Sequence, residues 1–134
     1  MRIDMIKFEL LKKYRSELRD IENMLRPPLT DYSLLPRIFD IVQHLDLNCG
    51  MKRKKTEDLR VFMTIALYFY SPMTFAGMRI KNGLRNAIGK LFPDIPPTTI
   101  SVEARKVPFF YRTYETFRNK IDRGIDEVVK SVNW

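Results

Sequence analysis

Apolar side chains recur every three or four residues along most of the chain. Ile3, Ile6, Leu10, Tyr14, Leu18, Ile21 and Leu25 form one stripe along a helix of about six turns, which Pro27-Pro28 ends. The opposite face alternates in sign (Lys12, Lys13, Glu17, Arg19, Asp20) and reads as wet. A second helix is expected to start around Pro36, where proline's fixed φ and missing N–H suit a first turn, and to reach about Leu45 with Ile38, Ile41, Val42 and Leu45 inward. Asn48-Cys49-Gly50 interrupts the pattern. Thr56 then offers an N-cap, with Glu57 and Asp58 in the first turn, for a third helix through Leu59, Phe62, Met63, Ala66, Leu67 and Tyr70, which Ser71-Pro72 closes.

Gly77 and Gly83 punctuate residues 73 to 83, which read as a loop with one short helical turn. Leu84 to Phe92 is a short helix facing inward with Leu84, Ala87, Ile88 and Leu91, and Pro93 to Pro96 is a turn. Pro97 suits the first position of a helix from Thr98 to Val107, with Ile100 and Ala104 inward. Pro108 is expected to break that helix, and a last one, about Phe110 to Val132, is expected to bury Tyr114, Phe117, Ile121, Ile125 and Val128. No segment alternates as a strand does, so the class is all-α. The expected architecture is a helical bundle, with an amphipathic helical extension over residues 1–30 and a single domain over 31–134. The first stripe is expected to pack within the chain, or to pair with a second copy as a homodimer.

Charge sharpens this picture because it is partitioned. Residues 1–50 carry eight Lys/Arg and eight Asp/Glu, and residues 113–134 carry four of each. Residues 51–112 carry twelve basic against four acidic residues, so the whole net charge of +8 lies there. A surface that neutralises phosphates would be partitioned in this way. The longest apolar run, Val61 to Tyr70, is about half the roughly 18 residues that a bilayer span needs. With no secretory leader in its first residues and a lone cysteine, Cys49, the chain is expected to be cytoplasmic and nucleoid-associated, with no membrane partner.

The inventory for catalysis is poor. His44 is the only histidine, Cys49 has no orienting partner nearby, and no spacing supplies three or four metal ligands. Gly83 to Lys90 has five residues between its glycines and Leu91 after the lysine, which departs from a phosphate-binding loop. The expectation is therefore a non-enzyme with no cofactor, no metal and no small-molecule substrate.

The informative arrangement is helix, turn, helix across residues 84 to 107, as a helix-turn-helix that docks in the major groove of duplex DNA requires. Thr98, Thr99 and Ser101 supply hydroxyls near the start of the second helix, and the free N–H groups of its first turn add a phosphate site. Arg85, Lys90, Arg105 and Lys106 flank it.

Residues 88 to 107, Ile-Gly-Lys-Leu-Phe-Pro-Asp-Ile-Pro-Pro-Thr-Thr-Ile-Ser-Val-Glu-Ala-Arg-Lys-Val, resemble without a gap the helix-turn-helix of the C-terminal DNA-binding domain, domain IV, of the bacterial replication initiator DnaA. Ile38 to Leu47, the basic run at 52 to 55, Ile65-Ala66-Leu67-Tyr68 and Phe117-Arg118 look like the family's other elements in the same order, so the resemblance covers about residues 36 to 130. It implies a Trp-repressor-like fold with a recognition helix in the major groove and a basic loop near the minor groove. Thr98 and Thr99 match the paired threonines of the motif, and Lys52, Arg53, Lys54 and Lys55 match the loop before the third helix. Ile95, Pro96 and Pro97 stand where the family has Arg, Asp and His. Met63 stands where it has an arginine, with Arg60 one turn earlier, and about six residues are added within 73 to 83. The initiator's ATPase part has no counterpart.

In sum, Lys52 to Lys55, Arg60 and Arg85 are expected on phosphates, with Thr98, Thr99, Ser101 and Arg105 facing the groove. The competing reading is a helical protein-interaction module that uses the first stripe or the aromatic segment Phe109 to Tyr114.

Overall fold

The computed structural model describes residues 26–45 and 55–132, together with positions 17, 19, 20 and 23. Among the described residues from 26 onward, five α-helices follow one another: α1 (Leu35–His44), α2 (Lys55–Tyr70), α3 (Asn82–Leu91), α4 (Pro97–Thr113) and α5 (Glu115–Ser131). Two 3₁₀ turns, Tyr32–Leu34 and Pro72–Ala76, precede α1 and follow α2, and no strand occurs among the described residues. The fold is an all-α bundle. All seven residues of the first apolar stripe, and the basic residues Lys52, Arg53 and Lys54, lie outside the described residues.

The bundle is built around α2. Every residue from Val61 to Leu67 is buried, as are Leu59, Phe69 and Tyr70, so this helix is enclosed on nearly all sides rather than along one stripe. It packs against α1, α4, α5 and the Pro72–Ala76 turn. The other helices each give one face: Leu35, Ile38 and Val42 from α1, Leu84 and Ile88 from α3, Ile100, Ala104 and Val107 from α4, and Ile121 and Val128 from α5. Phe39, Phe62 and Phe92 interlock with ring centroids 5.1 to 5.9 Å apart, which fastens the end of α3 to α1 and α2. The Arg37 guanidinium donates to the carbonyl of Ser131 at 3.1 Å and closes the C-terminal end of α5 onto α1.

Before α1, the Asp31 carboxylate accepts the N–H of Ser33 at 2.9 Å and caps the first 3₁₀ turn. The Tyr70 hydroxyl donates to the Asp31 carbonyl at 2.7 Å, and the Tyr70 ring lies 5.2 Å from that of Tyr32. Burial pushes the Tyr70 phenol up from 10.0 to about 12. A raised folded-state value favours the neutral phenol, so this contribution to stability is fully present below pH 10 and disappears between pH 10 and about 12. Chemical denaturation at stepped alkaline pH should show stability falling across that window, and Tyr70→Phe should reduce the slope.

Tyr32 also explains Gly83. A Cβ at position 83 would stand 2.7 Å from Cε2 of the Tyr32 ring, which is itself held against Tyr70. Alanine in a helix ordinarily gains about 1 kcal/mol over glycine. Here overpacking of about 1–3 kcal/mol opposes that gain, so Gly83→Ala is expected to destabilise by up to about 2 kcal/mol in urea titration. Gly77 has another reason: its φ of 97° places it in the left-handed region, where it ends the Pro72–Ala76 turn.

Two sequence expectations need correction. Pro108 does not break a helix: α4 runs through it to Thr113, with the proline ring buried. The break falls instead at Tyr114, whose extended backbone (φ −106°, ψ 109°) separates α4 from α5. Tyr114, expected inward, is 52% exposed for the same reason: it sits at the junction rather than on the inner face of a helix.

Candidate nucleic-acid interface

α3, the turn of residues 92 to 96 and α4 form two packed helices joined by a short connection. Leu84 and Ile88 from one and Ile100 and Ala104 from the other anchor the pair on the core, and a Cβ at Gly89 would meet Ile100 at 3.6 Å, an ordinary contact distance. Phe92 fixes the turn through its two ring contacts. The Ile95 N–H donates to the Phe92 carbonyl at 3.0 Å.

The inner face of α4 consists of Ile100, Glu103, Ala104, Val107 and Pro108, which leaves the outer face free of the bundle. Thr98, Val102, Arg105, Lys106, Phe109, Arg112 and Thr113 are exposed there, and Thr99 and Ser101 are half-buried at its start. Because the helix continues past Pro108, Arg105 and Arg112 stand two turns apart on one face. Together with residues 74 to 78 of the preceding turn they line a cleft of about 380 Å³. Neither makes an ion pair among the described residues. Lys90 is exposed at the end of α3.

Arg60 has a different place. Its Nε donates to Oε2 of Glu103 at 2.7 Å and its Nη2 to Oε1 at 3.4 Å, while its guanidinium carbon lies 5.0 Å from the centre of the Phe110 ring. Glu103 is 5% exposed, and Lys106 approaches its other oxygen at 3.8 Å. Arg60 is thus held within the protein and ties α2 to α4. Arg85 is half-buried, with its Nε enclosed and without a hydrogen-bond partner among the described residues. The side chain of Lys55, which opens α2, lies outside the described residues, as do those of Lys52, Arg53 and Lys54.

The first turn of α4 offers less to an anion than its position promised. Pro96 and Pro97 carry no N–H, and the N–H groups of Thr99 and Ile100 both donate to the Pro96 carbonyl, at 3.0 and 3.2 Å. Only the Thr98 N–H is left for a ligand.

The structure therefore leaves Thr98, Arg105 and Lys106 exposed on α4, Thr99 and Ser101 half-buried near its start and Lys90 exposed on α3, while Arg60 is tied to Glu103. Arg112 and Phe109 were missed as part of this face because Pro108 reads locally as a helix end, which hides the seven-residue spacing of the two arginines, and Val102, inside the expected helix, was missed because its side chain has no polar group. Glu103 was also missed, although the spacing carried its signal: positions 100, 103, 104 and 107 form the inward stripe, and an acid there requires a partner. Among the described residues there is no group of acidic, histidine or cysteine side chains that could hold a metal, and no helix long and apolar enough to cross a membrane. His44 is exposed and bonded through Nδ1 to the Asp40 carbonyl of its own helix at 2.6 Å. Compared with protein families, curated proteins and solved structures, the chain matches none.

Proposed function

We propose that the protein binds duplex DNA, with the outer face of α4 in the major groove and the flanking cations on the phosphates. The observation that supports this most is the outer face of α4, which carries Arg105 and Arg112 two turns apart, exposed and without an ion pair among the described residues, with the hydroxyls of Thr98, Thr99 and Ser101 at its leading end. Arginines on such a face neutralise phosphates or reach guanine edges, and threonine contributes both a hydroxyl and a methyl. Lys90 adds a cation from α3, and the basic run Lys52 to Lys55 adds four formal charges before α2. In this reading Arg60 and Glu103 hold α4 at its angle to α2 and do not touch DNA. The resemblance to the DNA-binding domain of DnaA points the same way, while Pro96 and Pro97, by removing donors and side chains from the first turn, point to a different target sequence.

Ionic strength tests the proposal. Retention on duplex DNA should weaken linearly in a log–log plot against salt, with a slope of about −0.9 per phosphate neutralised. A flat response, or no retention at low salt, would remove the proposal. Exposed Phe109 and Tyr114, with ring centroids 6.2 Å apart, favour a second reading, a protein-contact surface; binding to a protein partner with no salt slope on DNA would establish it instead.

A further inference from the structure

We propose that a second cleft, formed by α2, the Pro72–Ala76 turn, α4 and α5, binds a small alkylated ammonium cation. The cleft measures about 430 Å³, within the size range of small-ligand sites. Its walls are three aromatic rings, Tyr68, Phe75 and Tyr111, each from a different element, with the last two 6.0 Å apart and inclined at 56°. Ile121 and Ile125, successive turns of α5, form its floor, and the residue after each is an aspartate, so Asp122 and Asp126 stand on its rim.

The charge of the cleft is the reverse of the chain's. In a protein of net charge +8 no Lys or Arg among the described residues lines it, although the Arg118 charge reaches Tyr111 along α5, and its two aspartates have a formal charge of −2. The Tyr111 hydroxyl donates to Oδ1 of Asp122 at 2.6 Å, which fixes both the ring and the carboxylate. Asp126, exposed on the same face, has no partner among the described residues. Aromatic faces present negative potential, and several of them around a cation, completed by carboxylates, are how proteins hold alkylated ammonium groups.

The competing cations fit less well. A hard metal ion takes six or more oxygens, and this cleft is walled mostly by carbon. A lysine ammonium would lose strong hydration without three acceptors to replace it, whereas a fully alkylated ammonium has no N–H to satisfy and presents carbon to the aromatic walls. Such a head group can come from a free small molecule or from a methylated lysine on a peptide.

The test is titration of the full chain, followed by NMR of its aromatic and isoleucine methyl signals. Choline should move signals of Tyr68, Phe75, Tyr111 and Ile125 saturably in the millimolar range, and its neutral carbon analogue 3,3-dimethylbutan-1-ol should bind several-fold more weakly. Asp126→Asn, on an exposed position, should weaken choline roughly two- to fivefold, and Phe75→Leu, which keeps apolar bulk but removes a ring, by a similar factor. A trimethyl-lysine peptide that binds more tightly than choline, with the unmodified peptide inert, would assign the group to a protein side chain; equal or weaker binding would assign it to a free molecule. Equal binding of choline and the neutral alcohol, indifference to Asp126→Asn in a variant whose spectrum is unchanged, or no saturable shift would overturn the proposal.

Discussion

Arg60→Ala is expected to lower stability by about 2–4 kcal/mol, the largest effect of any single charge change on the described surface. The reason lies in what remains. Glu103 is 5% exposed, and without the guanidinium its carboxylate keeps, among the described residues, only Lys106, which at 3.8 Å is too far for a hydrogen bond. Removing the acid instead is expected to cost less, about 1–2 kcal/mol for Glu103→Ala, since the Arg60 side chain is 30% exposed and can reach water. Replacing both together by apolar residues of similar length, Arg60→Met with Glu103→Leu, should recover most of the loss, because a desolvated pair often contributes little net stability compared with well-packed apolar groups. Urea denaturation of Arg60→Ala, Glu103→Ala and the variant carrying both alanines measures the coupling directly. Additive losses would show that Arg60 and Glu103 do not act as a pair. If Arg60 served a phosphate instead, Arg60→Ala would weaken DNA binding with little effect on the denaturation midpoint.

That pair also marks where local sequence rules stop. Helices whose inner face is set by spacing, such as Ile38 and Val42 on α1, Leu84 and Ile88 on α3, and Ile100 and Ala104 on α4, were legible because a stripe every three or four residues can be buried only one way. The turn after α2 was legible from proline and glycine chemistry, and Gly77 occupies the left-handed position such a residue suits, whereas the 3₁₀ turn before α1, capped by Asp31, contains neither residue and was not legible. Nor was Pro108. Its missing N–H costs α4 a hydrogen bond and its ring crowds the preceding turn, a local penalty of about 3 kcal/mol that normally ends a helix. The ring is buried against the bundle, and that tertiary contact offsets a penalty which sequence spacing alone registers at full strength. Tyr114 fails with it, since moving the break by six residues turns an inward position into a junction. Depth was equally hidden: Val61, Thr64, Ile65 and Phe69 lie off the expected stripe of α2, and only the number of helices around it determines that they are buried. The acidic aromatic cleft was invisible for a further reason, as its rings come from residues 68, 75 and 111 and its carboxylates from 122 and 126, brought together by packing across four elements.

Replacing both arginines of the outer face, Arg105→Ala with Arg112→Ala, is expected to reduce affinity for duplex DNA roughly hundredfold at low salt, since each charged contact contributes on the order of 1.5 kcal/mol. The salt slope should become shallower by about 2, one unit for each phosphate no longer neutralised. Both positions are exposed and outside every ion pair among the described residues, so the folded state should be unaffected to within about 0.5 kcal/mol. Thr98→Ala with Thr99→Ala should act differently, leaving the slope almost unchanged while it narrows the gap between preferred and random sequences. Val102, exposed one turn further along, belongs with the threonines: it has no polar atom in its side chain, and Val102→Ser should change preference at thymine-bearing positions without altering the slope. The two classes of variant separate phosphate contact from base contact on one helix. An arginine pair whose loss leaves the slope intact would place the phosphates elsewhere, with the basic run at 52 to 55 the remaining concentration of positive charge.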